Sequence, residues 1–93
     1  MKIEMLTAVF YLEGCYSLKE KRRRLSGLRH RFGRQSNLAV CESDYQDDLN
    51  RSQWSFIAAA SDGRIVDKTL SAVEIYLDEE VDAVLAGLER EEL

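Results

Sequence analysis

Apolar residues switch between two spacings along this chain, and the switching limits the folds open to it. Residues 2–12 alternate. Leu6, Ala8, Phe10 and Leu12 share one face; Met5, Thr7, Val9 and Tyr11 share the other. A period of two with β-branched and aromatic residues specifies a strand, because successive side chains leave a pleated backbone on opposite sides. The even face is more apolar and should meet the core. The odd face is mixed and faces water or a partner. Gly14 then permits a sharp turn.

The period becomes 3.6 at Ser17. Ser17-Leu-Lys-Glu20 fits a capping box, in which the serine oxygen accepts a free backbone N–H and the glutamate reaches back. Leu18, Leu25, Leu28 and Phe32 form one narrow stripe of a helix over residues 18–34. Lys21 falls inside that stripe, and Arg22 at its edge beside Arg29. A buried ammonium needs a carboxylate or a path to water; Glu42 and Glu89 are the candidate partners. Gly33 and the polar Gln35-Ser36-Asn37 stretch end the helix.

Residues 37–43 read as a second strand, and Asp44 to Asn50 as a polar connector rich in turn formers. Residues 52–60 read as a third strand, with Trp54, Phe56, Ala58 and Ala60 on its inner face. Ser61-Asp62-Gly63 offers caps for a second helix. Its stripe is Val66, Leu70, Val73 and Leu77, widened by Ile65, Ala72 and Tyr76. Asp78-Glu79-Glu80 opposes the helix dipole and should end it. The tail from Ala83 has helix propensity, whereas topology asks for a closing strand. The order β-α-β-β-α-β is that of a ferredoxin-like sandwich. This α+β fold carries both helices on one face of a four-stranded antiparallel sheet. Residues 1–93 suit one such domain.

Charge is distributed unevenly. The net charge of −4 conceals nine basic and three acidic side chains in residues 1–36, against four basic and 14 acidic ones in residues 37–93. Eight of the 13 bases fall within residues 18–34. Lys19, Arg23, Arg24, Arg31 and Arg34 should be the most exposed, and are candidates for contact with RNA phosphates. The competing interpretation is a solvated helix face balanced by the acidic half, with the terminal Glu89–Glu92 segment pairing with the helix. On the open sheet face, Met5, Val9, Tyr11 and Ile57 offer a homodimer surface, or a merely amphipathic face of a monomer. The third strand places no aromatic there, so base stacking on the sheet is not expected.

Enzyme chemistry finds little footing. There is no nucleophile elbow, no phosphate-cradling glycine loop and no cluster of His, Cys and Asp. Ser17 with Lys21 is the remaining candidate, and Ser17 is better explained as a cap. Cys15 and Cys41 are isolated, and His30 sits among arginines, so neither zinc nor a disulfide framework is expected. Asp44, Asp47 and Asp48 match no metal-loop spacing. We therefore expect no catalytic residue, metal or cofactor. No run approaches the roughly 20 apolar residues of a membrane span, and no secretory pattern opens the chain. A cytoplasmic protein with reduced, half-buried thiols is the expectation.

The run Gly14-Cys-Tyr-Ser-Leu-Lys-Glu-Lys-Arg22 resembles the signature of the YlxP-like family of small bacterial proteins, catalogued as a domain of unknown function. Its most specific element is the hexapeptide Ser17, Leu18, Lys19, Glu20, Lys21 and Arg22. Asn37, Val40, Glu42, Asp44, Gln46, Asp47, Arg51, Ser61 and Glu89-Arg90-Glu91 follow in matching order, so the resemblance covers nearly the whole chain. It implies a ferredoxin-like fold and transfers no active site. Through gene neighbours that encode translation initiation and ribosome maturation factors, it also implies a role near the small ribosomal subunit or its RNA. Where the family usually has a His-Gln-Asp-Leu-Trp-Gln-like run, this chain has Tyr45-Gln-Asp-Asp-Leu-Asn50. A family contact made by that loop would be made differently here.

Overall fold

In the computed structural model, which describes residues 1–93, the elements are β1 (Lys2–Tyr11), α1 (Leu18–Phe32), β2 (Leu38–Asp44), β3 (Arg51–Ala60), α2 (Gly63–Glu79) and β4 (Val84–Glu92). The strands form one antiparallel sheet in the order β2-β3-β1-β4. This is the expected α+β, ferredoxin-like topology. The tail is a strand despite its helix propensity, because pairing with β1 from Glu4 to Tyr11 satisfies its backbone.

The even positions of β1 build the core as their pattern demands. Leu6, Ala8 and Phe10 are buried, with Trp54, Phe56 and Ala58 of β3 beside them. Val66, Leu70, Val73 and Leu77 of α2 cover this layer, as do Leu25, Leu28 and Phe32 of α1. The Phe32 ring meets Phe56 and Tyr76 edge-on, with centroids 6.1 and 5.2 Å apart, a favoured aromatic geometry. The helices approach each other at Gly27, where an added Cβ would strike Tyr76 Oη. Gly14 takes φ +68 and turns the chain from β1 towards α1.

Several edges of the sequence reading move. α1 stops at Phe32, its cap Gly33 donating its N–H to the Arg29 carbonyl at 2.8 Å. Arg34 therefore lies beyond the helix. Leu18, Ile65 and Ala72 are exposed rather than part of the apolar stripes, because the sheet covers only a narrow arc of each helix. The thiols are not alike: Cys15 is buried, whereas Cys41 is exposed, and both are free.

The terminal carboxylates do not pair with the basic helix. Arg90 turns inward from β4 to α2 instead. It donates to Glu74 at 2.6 Å, Asp67 at 2.7 Å and Ser71 at 3.0 Å. Glu92 approaches Lys2 at 3.8 Å.

Candidate functional site

The Ser17–Arg22 segment does two structural jobs within two turns of helix. Ser17 Oγ accepts the Glu20 N–H at 3.1 Å. Glu20 reaches back past the cap, accepting the Tyr16 N–H at 3.3 Å. One turn on, Lys21 is 3% exposed. Its ammonium donates to the carbonyls of Tyr45 and Asp48, each at 2.6 Å, and of Gln46 at 3.3 Å. Glu42 Oε2 lies 3.3 Å away. That carboxylate also accepts Ser52 Oγ–H, and Ser52 in turn accepts the Trp54 indole N–H at 2.8 Å.

Of the two proposed partners, Glu42 is therefore the one that meets Lys21. Glu89 stands opposite Thr7, on the other face of the sheet. An ammonium carries three donors, and the carbonyls and carboxylate occupy them. Lys21 is thus committed to the connector, and Ser17 Oγ accepts the helix-capping N–H.

Lys21 holds the β2–β3 connector by its backbone. Tyr45 adopts φ +61 there, a left-handed conformation that costs a non-glycine residue about 1–2 kcal/mol. Because its ligands there are carbonyls, the Lys21 anchor itself does not depend on which side chains stand at positions 45, 46 and 48. Asn50 adds its own tie, its side-chain amide donating to the Leu12 carbonyl at 3.1 Å. Asp48 accepts the Asn50 N–H at 2.8 Å and Arg51 Nε–H at 3.0 Å. The Asn50 N–H foremost, then the Arg51 guanidinium, hold its carboxyl below the usual range.

The basic side chains divide sharply. Lys2, Lys21, Arg23, Arg24, Arg51, Arg64 and Arg90 each lie within ion-pair distance of a carboxylate. Lys19, Arg22, Arg29, Arg31, Arg34 and Lys68 do not. All but Lys68 are on α1 or immediately after it. Lys19, Arg31 and Arg34 are exposed as expected, and Arg23, 69% exposed, touches Glu20 only loosely at 3.9 Å.

Arg24 is a correction. Its side chain is only 10% exposed and lies 3.4 Å from the Asp82 carboxylate. It donates to the carbonyls of Asp82 and Glu13 at 2.8 and 2.9 Å. It clasps two loops and is not a free surface charge.

Between α1 and the connector lies a cleft of about 440 Å³. Leu18, Leu25 and Trp54 give it an apolar wall, and the Lys21–Glu42 pair lies in its lining. Arg22 and Arg29 border it, with the Arg29 guanidinium 5.4 Å from the centre of the Trp54 ring. Gln46 and Asp47 border it from the connector. Little in the sequence marks this cleft. Its one legible signal was that Arg22 and Arg29 sit together at the edge of the apolar stripe.

On the open sheet face, Met5 stands opposite Ile57. Met5 and Val9 are half-buried, whereas Tyr11 and Ile57 are exposed. A polar row divides this surface: Thr7 lies opposite Ser55, and Ser55 and Gln53 both donate to Ser43. Glu91 stands opposite Met5 on the other side. Trp54 and Phe56 point inward, leaving no β3 aromatic on the open face.

A family model for a protein of unknown function, DUF503, matches residues 3–90. The chain belongs to the DUF503 family. No curated protein matches it. The DUF503 match runs from within β1 to Arg90 of β4, so it takes in both helices, the Lys21 anchor and the cleft. No helix of this DUF503 chain is long and apolar enough to cross a membrane.

Proposed function

We propose that this DUF503 protein is a non-catalytic, YlxP-like accessory factor of translation or small-subunit ribosome assembly. It works in the cytoplasm and holds ribosomal RNA through the exposed bases of α1 and its C-terminal extension. The observation that carries this is the partition of cations. Five of the six bases without a carboxylate partner cluster on or just after one helix: Lys19, Arg22, Arg29, Arg31 and Arg34. Unpaired guanidiniums are suited to bidentate contact with phosphate. The acidic majority of the chain leaves this as its one strongly cationic face, and a local field of that kind can steer a polyanion despite a negative net charge.

The test is RNA retention from lysate, with and without nuclease, across a salt series. Bound RNA should co-purify and be lost steeply with salt. Replacing Lys19, Arg23, Arg31 and Arg34 by Glu should abolish retention with the fold intact. Single replacements by Ala should each flatten the log–log salt slope by about 0.7–0.9 per phosphate contact removed. Retention that ignores salt or these substitutions overturns RNA binding.

A homodimer acting without RNA is the competing function, favoured by the apolar Met5–Ile57 pair on the open sheet face. It predicts a light-scattering mass of twice 10.7 kDa that falls to the monomer value in Ile57→Lys. A monomeric mass for the unaltered chain at high concentration removes it.

A further inference from the structure

The cleft beside α1 has a mixed lining that a simple anion would not use. Arg22 and Arg29, two turns apart, supply guanidiniums with no carboxylate partner. Gln46 and Asp47 supply acceptors on the connector side. The Gln46 amide donates to the Glu42 carbonyl at 3.4 Å, leaving its own oxygen available, and Asp47 has no ion-pair partner. Leu18, backed by the buried Leu25 and Trp54, provides an apolar wall, with Arg29 over the indole. The volume of about 440 Å³ lies within the range of small-molecule sites.

A ligand that satisfies all of this has a phosphate, a flat ring and hydrogen-bond donors on the ring or sugar. We propose that the cleft binds a single nucleotide unit, its phosphate on Arg22 and Arg29 and its donors towards Gln46 and Asp47. The ring lies along the wall of Leu18, Leu25 and Trp54.

The nucleotide can be free or an unpaired member of an RNA strand. Seating a strand rests on α1 contacting RNA; seating a free nucleotide does not. The cleft itself is preformed, because the Lys21 anchor fixes one wall by its backbone. Trp54 is the sole tryptophan, so its indole N–H gives one assigned resonance beside the cleft, hydrogen-bonded to Ser52.

The experiment is a nitrogen-15 NMR titration of the full chain with four kinds of probe. These are the four ribonucleoside 5′-monophosphates, a single-stranded RNA octamer, a duplex of the same sequence and inorganic phosphate. The Trp54 indole resonance and the amides of Ser26, Arg29, Gln46 and Asp47 should shift saturably with the monophosphates or the octamer. They should respond far less to duplex or phosphate. Response to the monophosphates identifies a free nucleotide as a ligand; response to the octamer alone identifies a strand.

Arg22→Ala and Arg29→Ala should each weaken binding roughly tenfold. Reversal of Lys19 and Arg31 to Glu should leave monophosphate binding unchanged. If the Trp54 resonance stays still while the octamer is retained through Lys19 and Arg31, the cleft assignment fails and RNA binding stands. If the monophosphates shift it and no RNA is retained, the cleft stands and the RNA function fails. Equal response to inorganic phosphate would show a general anion site and overturn the nucleotide assignment.

Discussion

The two helices lie on the same face of the same sheet, yet they handle charge in opposite ways. α2 buries four aliphatic side chains, Val66, Leu70, Val73 and Leu77. Most of its bases and the carboxylates facing β4 are paired within the fold: Arg64 with Asp62, and Asp67 and Glu74 with Arg90, leaving Lys68 as its one unpaired base. α1 buries Lys21 in a stripe otherwise made of Leu25, Leu28 and Phe32, and sends its remaining bases to the surface largely unpaired. α2 has the character of a purely structural helix. α1 pins a connector with Lys21, clasps two loops with Arg24, and leaves Lys19, Arg22, Arg29 and Arg31 without a carboxylate partner. The contrast teaches that a base on a helix is informative only when its partners are known. Lys21 and Arg24 are ties, whereas Arg22 and Arg29 border an open cleft.

The largest break of this contrast should come at its two anchoring cations. Lys21→Met leaves Glu42 and three carbonyls without their donor in a buried site. Removing one member of a buried pair costs about 3–5 kcal/mol, to be read by chemical denaturation. Arg90→Met should cost less, about 1–3 kcal/mol, because its side chain is 25% exposed and water can replace the lost contacts. Equal losses would show that Lys21 is no more essential than a half-exposed tie.

The caps sharpen the comparison next. Ser17→Ala should cost about 1 kcal/mol at any pH, since the hydroxyl does not titrate. Asp62 caps α2 by accepting the Arg64 N–H at 2.9 Å. Its carboxyl is held below the usual range by the Arg64 side chain first and then by that N–H. A depressed carboxylate contributes fully above its unfolded pKa and loses that contribution as pH falls through the folded value. The penalty of Asp62→Ala should therefore fade in acid, while that of Ser17→Ala persists. Denaturation midpoints for both variants across an acid series check this, and a constant Asp62→Ala penalty would refute it.

The smallest stability effects belong to the free surface. Lys19→Glu and Arg31→Glu should each change stability by no more than about 0.5 kcal/mol, yet reduce RNA retention. Lys68→Glu on α2, equally unpaired, should change neither. Loss of retention in Lys68→Glu would mean that total charge, and not the α1 face, governs binding.

Much of the fold was legible because its signals are local. Alternation in Leu6–Leu12 and in Trp54–Ala60 placed both central strands with the correct faces inward. Ser17 and the Ser61–Gly63 segment marked both helix starts. The tail was not settled by its own residues: Ala, Leu and Glu favour helix, and only the free edge of β1 made it a strand. The candidate site was less legible. Lys21 stood out as an anomaly in an apolar stripe, but its main ligands are backbone carbonyls at positions 45, 46 and 48, which leave no mark in a sequence. Arg24 read as one more surface base, since nothing nearby in the chain foretells its carbonyl partner at Asp82.

By itself, the sequence determined the first five elements, the faces they bury and the concentration of bases near Ser17–Arg34, because periodicity, caps and charge are properties of short segments. The tertiary structure alone decided which of those bases are ties and which are free, and that Arg22, Arg29 and Trp54 border one cleft. Those outcomes depend on contacts between residues tens of positions apart, and the packing of α1 against the β2–β3 hairpin creates them.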